Sequence, residues 1–463
     1  MTEDLRRLLT PRSIAVVGAS AKPGKIGHVV LSNLLSGDFA IYPINPHETE
    51  ILGLRCYPSL KDVPGPIDLA LIVLPAGQTV EVVREAVDAG VGAVIVTSSG
   101  FGESGQEGRS LQESLVAALR GSNTRLLGPN TMGLMIPGLG LDTFIISTDR
   151  SPRPGEGSIA IVSQSGAVAV SCLEKAEASG VGISACVCLG NKADIDETDI
   201  IRHFAADAKT RCIALYLESF SDGPSFLEAV RRITVDKPVV MLKAGATPAG
   251  SRAAASHTGA IASASDFVVD GALRQAGVVR VRDEEELLDV ARALSVIDHV
   301  PGDRVCVVAS AGGFGVIASD LVESTTRGWD LRMAVLSENS RTALQGVIPG
   351  FSSAQNPVDL TAEVSDDMYD RVLGILKADP GVDSIMMSLE LQPPSVTDSL
   401  LDVASRHSGS PGPQIVISLF ARNQSAVIRD LSVRGLVAYP TIHRSIRAIA
   451  ALSERGAYLR RYR

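Results

Sequence analysis

The sequence predicts an α/β protein built on doubly wound parallel sheets. Short apolar runs rich in β-branched residues alternate with amphipathic segments almost from end to end, which is typical of parallel sheets covered on both faces. The pattern restarts after two breaks that contain Pro and Gly, at residues 151–157 and 299–303. The length of 463 residues agrees with three domains at about 150 residues each.

The strand candidates form three groups in chain order. The first group lies at residues 13–17, 41–44, 69–74, 93–96 and 125–127. The second group lies at residues 158–162, 184–189, 212–217, 238–242 and 278–281. The third group lies at residues 304–309, 333–336, 384–389 and 414–419. The predicted domains are therefore residues 1–150, 151–299 and 300–463.

Composition excludes several classes of protein. Apolar residues make up 45% of the chain and charged residues 21%, which is ordinary for a folded protein. With 4% aromatic residues and a formal net charge of -9, the chain does not fit a nucleic-acid binder, which needs a basic surface. The sequence contains no signal-peptide core and no run of about 18 apolar residues, so we expect a cytoplasmic protein that binds no membrane. The six cysteines lack CxxC and metal-ligand spacing, which predicts reduced, buried thiols and no metal site.

The first candidate site is a Gly-rich turn, GASAKPGKIG at residues 18–27, that follows the first strand. Such a turn opens a helix whose free amides bind phosphate. NAD enzymes place Asp or Glu at the end of the second strand to hold the ribose; Asn45 and Pro46 stand there instead, which disfavours NAD. Lys22 and Lys25 add positive charge suited to a ligand rich in phosphate. The competing interpretation is a tight turn without a ligand.

The second candidate site is SQSG at residues 163–166, between a strand and a helical segment. The first turn of that helix offers amides, hydroxyls and the positive end of its dipole to an anion, although a simple Ser N-cap explains the pattern equally well. Glu218 ends the strand at 212–217, at the edge where active groups gather in open α/β sheets; a loop cap is the alternative.

One histidine, His257, lies in a segment of nearly all small residues at 245–265. Such a segment hardly builds a core, so it suits a mobile loop that presents one large side chain. Imidazole has an ordinary pKa of about 6.5, so it is mostly neutral at pH 7 and one nitrogen is free to attack a phosphoryl group. On local sequence alone, a surface histidine is the commoner explanation.

The last third repeats the strand, glycine turn and helix pattern at SAGGFG, residues 310–315. Its NPVD turn lies at residues 356–359, and GNKADID at 190–196 follows a strand of the middle third. For each of these segments a structural role is as economical as a functional one. The basic residues near the end of the chain, Arg455 and Arg460 among them, indicate a solvated helix end or a partner contact.

Five motifs together resemble the CoA-binding domain of the NDP-forming acyl-CoA synthetases, which include the ADP-forming acetate–CoA ligases and are similar to the succinyl-CoA synthetase α-subunit. They are VVGASAKPGKIG, YPINP, LIVLPA, SSGFGE and RLLGPN, in the order of that family. The resemblance implies an N-terminal Rossmann-like CoA-binding domain followed by two flavodoxin-like parallel-sheet domains. It implies a CoA site lined by Gly18, Ser20, Lys25, Asn45, Pro75, Ser98, Gly100 and Phe101. The family commonly has Cys where Thr131 follows GPN, so the thioester end of the pocket is expected to differ or to tolerate a small-residue exchange.

The same resemblance extends to the middle third. SHTGA at residues 256–260 matches the family's phosphohistidine motif, which implies that His257 carries the phosphoryl group. It also implies a phosphate site formed by Ser163, Gln164, Ser165 and Gly166. Glu218 matches the glutamate that fixes the second ring nitrogen of that histidine. Ser310 and Phe314 depart from the family's NAGGPG, which leaves a catalytic duty for the last third in doubt.

We therefore expect the α-type subunit of an acyl-CoA synthetase that interconverts a small carboxylic acid, CoA and ATP with acyl-CoA, ADP and phosphate. The sequence contains neither a P-loop nor the family's ATP-grasp segment, so a separate ATP-grasp β subunit in a hetero-oligomer is expected to supply the ATP/ADP site and Mg²⁺. The alternatives are a non-catalytic CoA-binding regulatory or scaffold protein of the same fold, and a nicotinamide dehydrogenase.

Overall fold

The computed structural model describes residues 5–258, 265–324, 326, 328–409 and 411–462, without the side chains of 255–258. The chain divides into two compact units. The first unit combines Met1–Glu177 with Gly182–Glu284, and the second combines Ala178–Val181 with Glu285–Arg463. The α/β fold class expected from the sequence is confirmed.

The first sheet is parallel and has five strands in the order β2-β1-β5-β6-β7. These strands and a small separate hairpin (β3 and β4) are β1 (Ser13–Val17), β2 (Ala40–Ile44), β3 (Glu50–Ile51), β4 (Leu54–Arg55), β5 (Leu69–Ile72), β6 (Ala93–Val96) and β7 (Arg125–Leu127). The accompanying helices are α1 (Arg6–Leu9), α2 (Ile26–Leu34), α3 (Ala76–Asp88) and α4 (Gln106–Leu119). The chain order reverses between β1 and β5, and ligands bind at such a switch point in open α/β sheets.

The second sheet has seven strands in the order β14-β13-β12-β10-β11-β8-β9. They are β8 (Leu134–Ile136), β9 (Leu141–Asp142), β10 (Glu156–Ser163), β11 (Ile183–Cys188), β12 (Cys212–Leu217), β13 (Val239–Lys243) and β14 (Val278–Val281). The helices are α5 (Gly166–Ala178), α6 (Glu197–Ala206), α7 (Gly223–Ile233), α8 (Pro248–Thr258) and α9 (Asp266–Gln275). The strands from β10 to β14 are parallel, with the switch point between β10 and β12.

Two antiparallel strands extend the second sheet, and the sequence analysis did not find them. β8 pairs with β11, and β9 pairs with β8, although both lie before residue 150. The first two sheets also share one continuous apolar core, to which Leu31, Leu127, Leu141 and Val162 all belong. The boundaries expected at 150/151 and 299/300 remain predictions.

The second unit contains a six-stranded parallel sheet in the order β16-β15-β18-β19-β20, with β17 paired to β15. Its strands are β15 (Arg304–Ala309), β16 (Arg332–Met333), β17 (Val358–Asp359), β18 (Ser384–Glu390), β19 (Gln414–Phe420) and β20 (Val437–Tyr439). Its helices are α10 (Glu284–Val296), α11 (Gly312–Val322), α12 (Glu338–Gln345), α13 (Asp366–Lys377), α14 (Ser399–His407), α15 (Gln424–Val433) and α16 (Ile442–Tyr462).

Burial corrects one expectation and supports another. Arg455 is not part of a solvated helix end, because it is buried and its Nε donates to Asp298 Oδ1 at 2.7 Å. All six cysteines are buried and none forms a disulfide. Among the described helices, none is both long enough and apolar enough to cross a bilayer.

Candidate functional site

The residues predicted to line a CoA site lie together at the carboxyl edge of the first sheet. They follow four of its strands: Gly18, Ser20 and Lys25 after β1, Asn45 after β2, Pro75 after β5, and Ser98, Gly100 and Phe101 after β6. Because β1 and β5 flank the switch point, this group surrounds the crevice that the topology creates. Their ligand roles remain predictions.

Two glycines allow the turn after β1 to lie against its surroundings. Gly18 has φ +88°, and a Cβ there would lie 3.0 Å from Leu74 Cδ2. A Cβ on Gly27 would lie 2.1 Å from the carbonyl oxygen of Gly18. The start of α2 therefore packs directly on the turn.

Replacing Gly27 with Ala tests that close approach. The added methyl group has no space, so we expect a loss of about 1–3 kcal/mol in the free energy of unfolding and weaker CoA binding. Urea unfolding and CoA titration calorimetry measure the two effects. Gly77→Ala in α3 is the matched stability control, because a Cβ there meets nothing within 4 Å. Equal stabilities for the two variants would contradict the packing argument.

Asn45 occupies the position where dinucleotide enzymes carry an acidic residue. Its Nδ2 donates to Ala19 O at 2.8 Å, and its Oδ1 accepts from the amide of His47 at 2.9 Å. The side chain therefore ties the end of β2 to the Gly-rich turn. His28 has a similar role that the sequence analysis missed, because its Nδ1 donates to Ser20 O at 3.1 Å.

The segment after β6 is organised by Glu103, another residue that the sequence analysis did not single out as a site residue. Its Oε1 accepts from the amides of Gly100 at 2.6 Å and Phe101 at 3.2 Å, and its Oε2 accepts from Asn191 Nδ2 at 2.5 Å. Burial alone raises the pKa of Glu103, but these hydrogen bonds outweigh it and the pKa lies below its ordinary value. Phe101 is fully buried, backbone included, so its predicted place in the CoA-site lining remains a prediction.

Thr131, the departure from the family motif, has a structural role. Its Oγ1 donates to Cys188 O at 2.5 Å and accepts from the amide of Gly133 at 3.0 Å. The side chain is buried, and both of its hydrogen bonds hold the turn between β7 and β8. The neighbouring Met132 lies against Gly166, where an ideal Cβ would come within 2.2 Å of Met132 Cγ.

The predicted phosphate site lies at the switch point of the second sheet, and Gln164 links its two sides. Its Oε1 accepts from the amides of Glu218 at 2.9 Å and Ser219 at 3.1 Å, while its Nε2 donates to Ser219 Oγ at 3.1 Å. Ser163 Oγ donates to Ser165 O at 2.7 Å. Both side chains are thus occupied in holding the loops, and the backbone at the start of α5 is the part suited to an anion.

Glu218 is buried at the end of β12. Two charged residues, Lys192 and Glu197, form hydrogen bonds to the loop that follows it. Lys192 Nζ donates to Glu197 Oε2 at 2.9 Å and to Ser219 O at 2.8 Å. Glu197 Oε1 accepts from the amide of Ser221 at 2.7 Å. Tyr216 Oη donates to Glu218 Oε1 at 3.3 Å, and burial together with that carboxylate raises the pKa of Tyr216 to about 12.

The sequence analysis expected a mobile loop at residues 245–265, but Pro248–Thr258 form the helix α8, since alanine favours helices. His257 lies in the last turns of α8, and its side chain is outside the described part of the chain. Residues 259–264, which include the last two residues of the SHTGA motif, also lie outside it. The helix follows β13, the neighbour of β12, so its chain position agrees with the predicted pairing with Glu218. That pairing remains a prediction.

The acidic residues of GNKADID have structural partners. Asp194 Oδ2 accepts from Arg125 Nε at 2.9 Å, and Asp196 Oδ1 accepts from two amides at the start of α6. Asn191 is different, because its Oδ1 accepts from Asn130 Nδ2 at 3.3 Å while its Nδ2 reaches Glu103. The segment therefore braces the loops of the first sheet.

The corresponding edge of the third sheet is closed by apolar and amide contacts. Phe314 stacks on Phe420 with ring centroids 4.0 Å apart. Asn356 accepts from the amide of Val307 at 2.9 Å and donates to Val305 O at 2.7 Å, which fixes the NPVD turn to β15. These contacts account for both motifs as structural elements of the second unit.

Two family models match the chain. A CoA-binding domain covers residues 12–137, and a succinyl-CoA ligase-like flavodoxin domain covers residues 156–294. The first match covers the strands of the first sheet, and the second match covers the parallel strands of the second sheet.

Full-length similarity extends over all three sheets. The chain is 36% identical to the α subunit of ADP-forming acetate–CoA ligase I of Pyrococcus furiosus, over 97% of each chain. It is 34% identical to the ADP-forming 4-hydroxybutyrate–CoA ligase of Nitrosopumilus maritimus, over 96% of this chain and 63% of that protein. A solved acetyl-coenzyme A synthetase 1 from Candidatus Korarchaeum cryptofilum, in complex with phosphate and ADP, matches with a TM-score of 0.89 and 32% identity, over 99% of this chain and 98% of that one.

Proposed function

Since the chain belongs to the ADP-forming acetate–CoA ligase family, as a chain of the α-subunit type, we propose that it interconverts acyl-CoA and the free carboxylate through an acyl phosphate and a phosphohistidine on His257. CoA is its thiol substrate. This catalytic function takes precedence over a scaffold that only binds CoA.

One observation carries the proposal. At the switch point of the second sheet, Gln164 joins the anion-suited start of α5 to the loop that holds Glu218. An anion site and a buried carboxylate on adjacent strand ends are what a histidine needs, because phosphate must be bound while the second ring nitrogen is held by an acceptor.

The chemistry takes two transfers in the thioester-cleaving direction. A phosphate oxygen attacks the thioester carbonyl, the C–S bond breaks, and CoA leaves as the thiolate that takes up a proton. One nitrogen of His257 then attacks the phosphorus of the acyl phosphate, and the P–O bond to the carboxylate breaks. Glu218 accepts the N–H of the other ring nitrogen and stabilises the charge of the phosphorylated ring. Amides at the start of α5 stabilise the phosphoryl oxygens.

The CoA thiol must reach this centre from the first sheet. The proposed lining residues at the carboxyl edge of that sheet bind the nucleotide end, and the GPN turn with Met132 leads towards the start of α5. In this scheme residues 1–150 bind CoA, residues 151–299 carry the phosphohistidine and residues 300–463 form a further flavodoxin-like domain.

The nucleotide half of the reaction is assigned to a partner. The name of the Pyrococcus furiosus relative designates an α subunit, and the Nitrosopumilus maritimus relative is longer than this chain. We therefore place the ATP/ADP site and Mg²⁺ on an ATP-grasp β subunit, which receives the phosphoryl group from His257.

The test is to incubate the purified chain with acetyl-CoA and radiolabelled phosphate. We expect label that is stable to base and labile to acid, which is the signature of phosphohistidine, and no ATP when ADP is added without a partner. A CoA-binding scaffold would bind CoA and remain unlabelled.

Glu218→Gln probes the second role. The amide keeps the size of the side chain but loses the charge that stabilises the phosphorylated ring, so we expect labelling to slow by about 10- to 100-fold. Quenched-flow labelling measures the rate. An unchanged rate would remove Glu218 from the mechanism.

A further inference from the structure

A buried lysine that the mechanism above does not use lies at the end of β13. Lys243 is only 5% exposed, and its Nζ donates to Glu218 O at 2.8 Å and to Ala244 O at 2.6 Å. The ammonium also lies 5.9 Å from the centre of the Phe220 ring. Burying an ammonium group is costly, and an apolar residue would end the strand without that cost.

The two carbonyl groups that Lys243 holds belong to two different functional segments. Glu218 O is part of the loop after β12. Ala244 O is the first carbonyl after β13, in the short connection to α8, and the Ala244 amide donates to Leu217 O at 2.9 Å. The ammonium group of Lys243 therefore links the start of the loop after β12, which contains Glu218, to the connection that leads into α8, the helix of His257.

The connection from Lys243 to α8 is held by contacts of its own. Gly245 adopts φ +79° and turns the chain back towards the helix, where an ideal Cβ would lie 3.6 Å from Ser251 Cα. Thr247 closes the first turn, because its Oγ1 accepts from the amide of Gly250 at 3.0 Å and its carbonyl from the amide of Ser251 at 2.7 Å. Only four residues separate Lys243 from α8, and these contacts restrict their backbone. We therefore expect a shift of Lys243 to move the start of α8.

The charges around the ammonium group come from several elements. Asp266 at the start of α9 and Glu218 are attractive, while Arg280 of β14 and Lys192 are repulsive. Burial is the largest influence and lowers the pKa of Lys243, although the neighbouring carboxylates oppose it. Lys243 therefore contributes to the electrostatic potential at the Glu218 carboxylate, and its hydrogen bonds also join the loop after β12 to the connection before α8.

We infer that Lys243 is a positioning residue for phosphoryl transfer, which holds Glu218 and the helix of His257 in mutual register and supplies positive charge beside the carboxylate. The inference rests on the proposed function, because it assigns a role relative to the two residues of that mechanism. Lys243 contacts neither phosphate nor CoA in this account.

The chain offers a matched control at the other end of the same strand. Lys237 precedes β13, and its Nζ also bridges two carbonyl groups, Phe204 O at 2.6 Å and Asp207 O at 2.7 Å. Burial lowers the pKa of Lys237 too. Lys237 lies at the amino edge of the sheet, opposite the candidate site, so its replacement removes a similar bridge without touching the mechanism.

The experiment compares Lys243→Met with Lys237→Met in the full chain. Single-turnover labelling from acetyl-CoA and phosphate is measured across phosphate concentrations, together with the urea midpoint and the Kd for CoA. For Lys243→Met we expect the maximal labelling rate to fall by about 10- to 100-fold, with the Kd for CoA unchanged. For Lys237→Met we expect a lowered urea midpoint and an unchanged rate. Lys243→Arg, which keeps a cationic donor, should recover part of the rate.

The outcomes distinguish failure of the positioning role of Lys243 from failure of the proposed phosphohistidine function. A labelled wild-type chain in which Lys243→Met and Lys237→Met have the same rate overturns the positioning role alone. A wild-type chain that is never labelled overturns both. If Lys243→Met does not fold, Lys243→Gln takes its place, because it removes the charge but keeps a polar side chain with a hydrogen-bond donor, and the same comparison with Lys237→Met applies.

Discussion

A chain in which His257 is replaced by Ala should carry no acid-labile phosphate. In a covalent mechanism the nucleophile cannot be bypassed, because the phosphoryl group is bonded to it in the intermediate. We expect labelling from acetyl-CoA and phosphate to fall by at least about 10³-fold, the size typical for loss of a nucleophile. Intact-mass analysis under basic conditions and acid-lability of the label measure it.

His203→Ala is the matched control for this result. His203 lies in α6, on another helix of the same sheet, where its ring packs edge-on against Phe204 with centroids 5.3 Å apart. Its loss should leave the label in place. If His257→Ala and the wild type were labelled alike, phosphohistidine chemistry at this position would be refuted.

Glu197→Ala should produce the largest loss of stability. The side chains of Glu197 and Lys192 are 0% and 4% exposed, and the variant leaves the ammonium group buried without its carboxylate. Removing one partner of a buried ion pair costs about 3–5 kcal/mol, a large share of the about 5–15 kcal/mol that stabilises a domain. The Ser221 amide loses its acceptor as well. Urea unfolding measures the loss. Added CoA should still raise the urea midpoint of the variant, because CoA binds the folded state.

A double-mutant cycle separates the ion pair from the other contacts. Glu197→Gln keeps an oxygen for Ser221, while Lys192→Met removes the charge on the other side. If the pair is coupled as its geometry indicates, the double variant will be more stable than the sum of the single effects predicts, by about 0.5–3 kcal/mol. Strict additivity would show that the Glu197 and Lys192 side chains are not coupled.

The sequence predicted the parallel sheets well, because their strands are continuous apolar runs. The predicted strand at 13–17 coincides with β1, and the one at 278–281 with β14. β8 and β9 were missed because they are short antiparallel strands, of three and two residues, that follow one another without an α-helix between them, whereas the prediction relied on strands alternating with helical segments. Their pairing is set by the neighbouring β11, which lies about 50 residues further along the chain.

Placement of the site was predictable in part. Glycine turns and strand ends indicate which backbone segments meet at a switch point. The roles of His257 and Glu218 come from the resemblance to a family and remain predictions. Buried charges were harder to interpret. Glu197 reads as an ordinary acid at the start of a helix, and Lys243 as a strand-ending lysine, because local sequence does not reveal what lies on the far side of a loop. A charged residue directly after an apolar strand is the one signal that could have drawn attention to Lys243.

The hairpin of β8 and β9 determines whether the protein can be cut into stable fragments near residue 150. β8 covers the outer edge of β11, so the exposed border of the second sheet is the two-residue β9 instead of a six-residue apolar strand. Open edges of that kind recruit other chains and aggregate. A fragment that begins after residue 150 would expose this edge, and a fragment that ends there would carry a hairpin with nothing to pair against. The two sheets share one core, so we expect them to unfold in a single cooperative transition. A fragment that ends at residue 150 and a fragment that begins after it should each be insoluble when expressed alone.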